Sequence, residues 1–289
     1  MKSVNVGEVE IVALTDVEGP FFRLDRIFPG VRPEDWEPYL ARYPWAFAER
    51  RVLRARVGAY LLRSRRCTVL VDTGVGPAAF GRSGRLLDNI EENGVCPEDV
   101  DIVFLTHLHG DHLGWSLNEE GEPVFPEARY VTQGAEWEVS LPYAGRVLEP
   151  LQRFGVLDLL DGEEPVTEEI TAIPTPGHSP GHASLLVSSG GGQALVVGDV
   201  MVHPAQVAEP TWNVHFDVDK EQAAHTREML LGWVESDGLL VAAGHVPGAG
   251  FGHVVRGGNG RRCWRALGEE EVAPALRTEG EGIRGRRTG

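Results

Sequence analysis

Residues 104–115 read FLTHLHGDHLGW, so three histidines and an aspartate follow directly on an apolar run. Side chains at positions i and i+2 of an extended segment point to the same side, so His107 and His109 can reach one metal ion. The glycine after them permits a tight turn that redirects Asp111 and His112 toward a second ion. Imidazole and carboxylate ligands together suit zinc, iron, manganese or cobalt. The motif therefore predicts a metal centre just beyond a buried strand.

Three later segments offer further ligands, which are needed because four side chains in one turn cannot saturate two ions. His178 lies in TPGHSPGH, after a strand predicted at 169–174. Asp199 and His245 close the apolar runs VVGD and VAAGH. Each of these three side chains follows a glycine, where the backbone can turn tightly. The pattern therefore places metal-ligand chemistry at the ends of several strands.

The order of the predicted elements indicates the fold class. Short β-branched strands such as 67–72, 101–106 and 193–199 alternate with helical segments, of which 218–236 is the clearest. The first half of the chain runs from strands to a helix, and the second half broadly repeats that order. We therefore expect an α/β protein in which two sheets pack together with helices outside.

No linker divides the chain, so residues 1–265 are predicted to form a single domain. Residues 19–50 are unusually rich in aromatic residues and proline. This segment is predicted to be a lid over a pocket or a dimerisation arm that packs against a second subunit. Residues 266–289 are polar and glycine-rich, and they are predicted to form a disordered tail.

Composition and charge narrow the function classes. The chain has 27 Lys and Arg residues against 43 Asp and Glu residues, for a formal net charge of -16. An acidic surface repels phosphate backbones and anionic lipid, so neither nucleic acid nor a membrane is an expected partner. No apolar run reaches the roughly 18 residues of a membrane span, and the N-terminus has no signal-like apolar core. Widely spaced cysteines without a Cys-x-x-Cys pair favour a reduced, cytoplasmic protein.

The complete set of motifs resembles the metallo-β-lactamase-fold hydrolases. His-x-His-x-Asp-His is followed in order by Pro-Gly-His, Gly-Asp and Gly-His, and it is preceded by VLVDTGVG at 69–76. Together the resemblance covers residues 50–250, nearly all of the part expected to fold. It implies an αββα four-layer sandwich, in which two mixed β-sheets pack face to face with helices outside.

The resemblance also implies a dinuclear metal site. Seven side chains would serve as ligands, three for each ion and one bridging both: His107, His109 and His178; Asp111, His112 and His245; and Asp199. Asp72 would orient one of these ligands, and Asp111 and Asp199 would also act as catalytic proton carriers. The cofactor would be two divalent ions, with zinc preferred over manganese, iron or cobalt. A hydroxide that bridges the two ions would attack a carbonyl or phosphoryl centre.

The run GDVMVHPAQVAEPTWNVHFDVD, residues 198–219, is most similar to the methyl parathion hydrolase and lactonase branch. Within it, His203 is predicted to line the pocket, where it would contact substrate or support a ligand. Small quorum-signal lactonases often carry a tyrosine three residues after the bridging aspartate, and this chain has Val202 there. The predicted activity is opening of lactones or cleavage of esters, extended to phosphotriesters, on a small, neutral and fairly apolar substrate.

Two other activities of the fold remain as alternatives. A mononuclear iron oxygenase resembling persulfide dioxygenases would need only the first set of ligands, and it would leave Asp111, His112 and His245 without a role. A thioesterase resembling glyoxalase II would bind an anionic thioester with basic residues, and no lysine cluster lies near the motifs. The protein partner considered is a second copy of the chain, in a homodimer.

Overall fold

The chain is described over residues 2–77 and 83–268 in a computed structural model, without the side chains of residue 138 and residues 140–143. The predicted tail spans residues 266–289. Ala266 belongs to a strand, and residues 269–289 lie outside the described residues. Within the described ranges, no helix combines the length and the apolar character that crossing a bilayer requires.

The first sheet contains the strands of the first half of the chain. They are β1 (Ser3–Val6), β2 (Val9–Arg23), β3 (Phe47–Glu49), β4 (Val52–Arg63), β5 (Thr68–Val71), β6 (Ile102–Phe104), β7 (Arg129–Gln133) and β8 (Leu157–Leu160). The order is β1-β2-β4-β5-β6-β7-β8, with β3 paired to β4. Strands β1 to β5 pair antiparallel and strands β5 to β8 pair parallel, so the sheet is mixed.

The second sheet contains the strands of the second half. They are β9 (Glu164–Pro165), β10 (Ile170–Pro174), β11 (Ala183–Ser189), β12 (Gly192–Val196), β13 (Leu240–Ala242), β14 (Phe251–Arg256) and β15 (Arg262–Ala266). Their order is β15-β14-β13-β12-β11-β10-β9. The pair β12–β13 is parallel and the other pairs are antiparallel, so this sheet is mixed as well.

Helices cover the outer faces of the two sheets. They are α1 (Leu24–Ile27), α2 (Glu37–Arg42), α3 (Leu86–Glu92), α4 (Gly134–Phe154) and α5 (Lys220–Asp237). Helix α5 begins where the Asp219 carboxylate accepts a hydrogen bond from the Gln222 backbone N–H at 2.9 Å. It ends at Gly238, whose φ of 67° lies in the left-handed region that glycine adopts at little cost.

Buried clusters fill the spaces between the layers. Phe104 of the first sheet packs with Leu185 of the second, so the two sheets lie face to face. Leu148 of α4 packs on the other face of the first sheet, and Leu230 of α5 packs on the other face of the second. Apolar burial of this kind is the main stabilising term in such a fold. The layers confirm the predicted αββα sandwich.

Residues 19–50 pack against the chain itself. The Trp36 side chain is buried, and its ring centroid lies 4.7 Å from that of Trp212. Phe21 and Phe22 of the same segment line the cavity beside the candidate site. Much of the segment therefore belongs to the core of its own chain. The role of the segment as a lid or as a dimerisation arm stays a prediction, and it applies to the part of the segment that is not buried in the core.

Candidate metal centre

The predicted ligands lie beyond the carboxyl ends of strands in both sheets. Asp72 follows β5, and residues 107–112 follow β6, which is parallel to β5. Asp199 and His245 follow β12 and β13, which are also parallel to each other, and His178 lies in the loop after β10. Because neighbouring parallel strands end at the same edge of a sheet, their following loops converge. The two sheets thus supply the two halves of one site.

Three imidazole rings form what we call the first cluster. His107 Nε2 lies 3.0 Å from His109 Nδ1, which in turn lies 3.0 Å from His178 Nε2. The ring nitrogens converge on one point from two loops. This spacing fits nitrogen ligands that each stand about 2.0–2.1 Å from a zinc ion.

Asp111, His112 and His245 form the second cluster. Their nearest ligand atoms all lie within 4.8 Å of one another. His245 Nε2 is 3.5 Å from Asp111 Oδ2, and His112 Nε2 is 3.8 Å from Asp111 Oδ1. This cluster therefore offers a mixed nitrogen and oxygen donor set.

The carboxylate of Asp199 stands between the two clusters. Its Oδ2 lies 3.4 Å from His178 Nε2 of the first cluster. Its Oδ1 lies 3.1 Å from His245 Nε2 and 3.4 Å from His112 Nε2 of the second cluster. The structure thus brings all seven predicted ligands together, with one oxygen of Asp199 turned to each cluster.

The polar atoms of the site fit a pair of divalent ions. His112 Nε2 and Asp199 Oδ1 are buried, and their close contacts within the described part of the chain lack hydrogen-bond geometry. Buried polar atoms in folded proteins are nearly always satisfied, so this pair calls for a ligand. A cation between them would satisfy both atoms. Imidazole and carboxylate donors without thiolate suit zinc, manganese, iron or cobalt.

Comparison with protein families decides the relationship. The family described as the metallo-beta-lactamase superfamily matches residues 56–245, a range that includes all seven ligands. The chain belongs to the metallo-beta-lactamase superfamily. This confirms the resemblance carried by the sequence motifs.

Curated relatives within the metallo-beta-lactamase superfamily support the lactonase branch. The N-acyl homoserine lactonase AiiA of Bacillus thuringiensis subsp. kurstaki is 26% identical over 158 residues, which cover 48% of this chain and 61% of that protein. The probable metallo-hydrolase YflN of Bacillus subtilis (strain 168) is 29% identical over 205 residues, covering 61% of this chain and 75% of that protein. The chain thus spans less than two thirds of the length of the lactonase it matches.

Solved structures share the fold over nearly the whole chain. AidC, described as a dizinc quorum-quenching lactonase in complex with a product, has a TM-score of 0.84 at 22% identity, covering 93% of this chain and 98% of that one. The hydrolase AbOPH, described as a member of the beta lactamase superfamily, has a TM-score of 0.80 at 25% identity with the same coverage. These likenesses establish the sandwich architecture.

Burial and nearby charge shift the pKa values of the imidazoles in opposite directions in the two clusters. Burial lowers the pKa of His107 well below its usual value, and burial together with His178 lowers the pKa of His109 to about 4. These rings are neutral at pH 7, which is the form that binds metal. Burial also acts to lower the pKa of His245, but the Asp199 carboxylate outweighs it and raises that pKa to about 9. A metal ion bound at the second cluster would therefore displace the proton of His245.

Asp72 contacts a predicted ligand of the second cluster. His112 donates a hydrogen bond from Nδ1 to Asp72 Oδ2 at 2.8 Å, which leaves Nε2 directed to the metal site. Asp72 Oδ1 accepts a hydrogen bond from the Thr106 backbone N–H at 2.8 Å. The backbone of Asp72 has a φ of 64°, a conformation that non-glycine residues rarely adopt and that these contacts hold in place.

Asp217 contacts a predicted ligand of the first cluster, which the sequence motifs did not reveal. His178 donates a hydrogen bond from Nδ1 to Asp217 Oδ1 at 2.8 Å, and the Asp217 side chain is fully buried. His245 is fixed in a similar way, because its Nδ1 donates to the Arg56 carbonyl at 2.8 Å. Such contacts set the tautomer and the orientation of a ligating imidazole.

His182 supports the bridging aspartate from behind. Its Nε2 accepts a hydrogen bond from the Asp199 backbone N–H at 2.9 Å. Its other nitrogen, Nδ1, lies 2.8 Å from the Thr175 hydroxyl. Burial lowers the pKa of His182 to about 3, so the ring stays neutral and can accept. The residue packs beside the site without joining either cluster.

His203 lies away from the cavity wall. Its side chain is fully buried, with ring centroids 5.3 Å from Trp36 and 5.0 Å from Phe47. Its Nδ1 accepts a hydrogen bond from the Ala205 backbone N–H at 3.1 Å, which caps the turn Pro204–Val207. This placement differs from the predicted substrate contact, because the aromatic N-terminal segment closes over the imidazole.

The burial of His203 gives a pH-dependent stability. Burial lowers its pKa to about 3, whereas the unfolded chain protonates the ring below about pH 6.5. The stability held by the neutral ring is therefore complete above about pH 6.5 and is lost as the pH falls toward the folded pKa. We expect this ring to lower the free energy of unfolding by about 1.4 kcal/mol between about pH 7.5 and about pH 5.5. The variant His203→Asn keeps an amide that can cap the turn. Between the same two pH values, its free energy of unfolding, measured with denaturant, should fall by about 1.4 kcal/mol less than that of the wild type.

The control for this prediction is His215→Asn, because His215 is exposed. That variant is expected to lose as much stability on acidification as the wild type. Equal pH dependence in His203→Asn and the wild type would show that His203 is not held neutral by burial.

A cavity of about 480 Å³ opens beside the metal ligands. Its lining includes five of them: His109, Asp111, His178, Asp199 and His245. Most of the remaining wall is apolar and includes Phe21, Phe22, Leu53, Val57, Val202 and Phe216. Arg146 of α4 is exposed and contributes a cationic group to the lining. A mostly apolar cavity with a few convergent polar groups is the usual form of a small-molecule site.

Proposed function

We propose that this chain is a dinuclear metal-dependent hydrolase that opens lactones and cleaves carboxylic esters. The observation that carries the proposal is the position of Asp199, whose Oδ2 lies 3.4 Å from His178 Nε2 while its Oδ1 lies 3.1 Å from His245 Nε2. A carboxylate in that position can bind two cations at once, as two-metal hydrolases require. The lactonase relatives support the same activity at low identity.

The first cluster would hold one ion, the second cluster the other, and Asp199 both. A pair of divalent ions, with zinc as the first choice, supplies Lewis acidity and lowers the pKa of a water molecule toward neutrality. Asp72 and Asp217 keep the ring nitrogens directed at the site. Asp111 lines the cavity with a side chain that is 28% exposed, so it is placed to carry a proton to or from the reacting groups.

The cavity wall favours an apolar acyl or aryl group over a strongly charged one. Phe21, Phe22 and Phe216 offer aromatic contact area, and Val202 lines the cavity without a hydroxyl group. A leaving group that needs little protonation suits such a site, so aryl esters are expected to react faster than N-acyl homoserine lactones. Aryl phosphotriesters share that leaving group and are proposed as a side activity.

Arg146 is the observation that favours a thioesterase as the second candidate. It is exposed at the cavity lining, where a guanidinium can bind a carboxylate. A glyoxalase II-like enzyme would use such a group to hold an anionic thioester. An anionic thioester therefore belongs in the substrate panel.

The experiment that tests the proposal is a hydrolysis panel on metal-loaded protein. The panel contains a γ-lactone, N-acyl homoserine lactones, an aryl ester, an aryl phosphotriester and an anionic thioester. For a lactone or an aryl ester we expect a kcat/KM of about 10⁴ M⁻¹s⁻¹ or more. This value is the lower end of the usual range of kcat/KM for enzymes. His245→Ala should be inactive on the same substrates, and His215→Ala, at an exposed position, should match the wild type.

Two results would overturn the proposal. The first is hydrolysis of the thioester alone, which would establish the second candidate. The second is a single bound iron with thiol-dependent oxygen uptake, as the oxygenase alternative requires. That alternative leaves the second cluster without a role, although its ligand atoms converge within 4.8 Å.

We infer as well that residues 1–265 fold as one domain. The first cluster joins His107 from the first sheet with His178 from the second, and a continuous apolar layer lies between the sheets. Neither sheet alone carries a complete cluster. A homodimer remains a proposal, which sedimentation of the purified protein would test.

A further inference from the structure

A buried arginine lies behind the metal centre. Arg227 of α5 is 1% exposed. Its Nε donates a hydrogen bond to the Val200 carbonyl at 2.6 Å, and its Nη1 donates to the Pro210 carbonyl at 2.5 Å. Its Nη2 lies 3.3 Å from Asp217 Oδ2. Burying a guanidinium is costly unless it is paired and hydrogen-bonded, so these contacts explain how the fold tolerates it.

The carboxylate partner of this arginine is the one that orients His178. Asp217 Oδ1 accepts the hydrogen bond from His178 Nδ1 at 2.8 Å, while Oδ2 accepts from the Val214 backbone N–H at 3.0 Å and faces Arg227. Both oxygens of Asp217 are therefore engaged in fixed directions. Without Arg227, the carboxylate would be left buried next to an imidazole with no permanent positive charge beside it.

The second contact of the arginine reaches the bridging aspartate. Val200 is the residue after Asp199, and both belong to the short turn Gly198–Val200. By binding the Val200 carbonyl, Arg227 fixes the backbone that carries the bridge. The planar fork of a guanidinium can hold both partners in one geometry, and no other side chain has that shape and a permanent charge.

We propose that Arg227 is a positioning residue of the metal centre. It holds Asp217 against His178, and it fixes the turn that carries Asp199, so that the first cluster keeps its geometry. The proposal rests on the proposed dinuclear site. Arg227 touches neither a predicted metal ligand side chain nor the cavity, so it acts through Asp217 and the Val200 carbonyl. Partners of this kind change metal affinity by about 10–100-fold when they are removed.

The test is a titration of the apoprotein with zinc and with cobalt alone, in competition with a chromophoric chelator. His109→Ala first identifies which of the two binding steps belongs to the first cluster. In Arg227→Gln we expect that step to weaken by about tenfold or more, because it loses support at both His178 and Asp199. The other step depends on Arg227 only through the turn of Asp199, so it should weaken by a smaller factor. Arg227→Lys keeps the charge without the fork and should lose less. The cobalt absorption spectrum of the first cluster should change in Arg227→Gln.

The matched control is Arg262→Gln. Arg262 also anchors α5, through ion pairs with Glu228 at 2.7 Å and Glu235 at 2.7 Å, but it lies away from the site. This control should leave both binding steps unchanged. If Arg227→Gln does not fold, Asp217→Asn and Arg227→Lys decide, because both should weaken the same step.

Three results would overturn the proposal. The first is unchanged binding of both ions in the Arg227 variants. The second is an equal weakening of both steps together with lower thermal stability, which is what a purely structural arginine would give. The third is a wild type that binds fewer than two ions, which would overturn the dinuclear site as well. A wild type that binds two ions but hydrolyses no ester would refute the proposed activity alone, since the titration measures binding.

Discussion

Replacing Asp199 with alanine is expected to remove at least one metal ion and to lower kcat/KM by about a thousandfold or more, equivalent to about 4 kcal/mol of transition-state stabilisation. The reason is geometric. Each oxygen of this buried carboxylate faces a different cluster, so its loss removes a ligand from both. The measurements are metal content by mass spectrometry and the rate of aryl ester or lactone hydrolysis.

The control for Asp199→Ala is Asp158→Ala. Asp158 is an aspartate of β8 whose side chain is 45% exposed, and it is paired with Arg129 at 2.6 Å. Exposed pairs of this kind contribute little to stability, so we expect wild-type metal content and rates. Full activity with two bound ions in Asp199→Ala would show that the carboxylate does not bridge.

Removing the metals is expected to abolish hydrolysis, and full activity should return only with the second equivalent. The first and second clusters each supply three ligands, but the reaction proposed here needs both ions at once. Dialysis against a chelator should lower the rate by about a thousandfold or more. Stepwise addition of zinc should then give a lag through the first equivalent and a steep rise through the second.

His245→Ala is the matched variant for this reconstitution, because it removes one ligand of the second cluster and leaves the first intact. We expect it to bind about one equivalent and to stay inactive. Full activity of the wild type at a single equivalent would point to a mononuclear enzyme.

The convergence of the candidate metal ligands could be predicted because each follows a recognisable apolar run. Residues 107–112 form a continuous motif, and Asp199 and His245 come just after short buried strands. Strand ends on one edge of a sheet converge whatever the intervening sequence, so local patterns were sufficient to locate the site. The strands that precede the site and the two-sheet architecture could be predicted from the same patterns.

Asp217 and Arg227 could not be predicted, because their roles depend on single tertiary contacts. Asp217 is 39 positions from His178 along the chain. It lies just before α5, where the sequence FDVD is equally typical of a helix start, and Asp219 does cap that helix. Arg227 falls within a helical pattern whose charged residues usually face solvent. Only the packed structure shows that its side chain points inward.

Helix α4 shows where local propensity is a poor guide. In this region the sequence predicts a helix at about 147–155, whereas the structure has it at Gly134–Phe154. Pro142 and Gly145 lower the intrinsic helix propensity of the part that the pattern leaves out. Packing of residues such as Leu148 against the first sheet outweighs that cost. The sequence patterns also leave out β14 and the edge strand β15, which form a hairpin just after His245 and carry no motif.

The most direct test of the dinuclear centre is a crystal structure of zinc-loaded protein with anomalous diffraction measured at the zinc edge. We expect two anomalous peaks about 3.5–4 Å apart, one within bonding distance of His107, His109 and His178 and the other near Asp111, His112 and His245. One oxygen of Asp199 should bind each ion. A single peak, or two peaks with Asp199 bound to neither, would contradict the account.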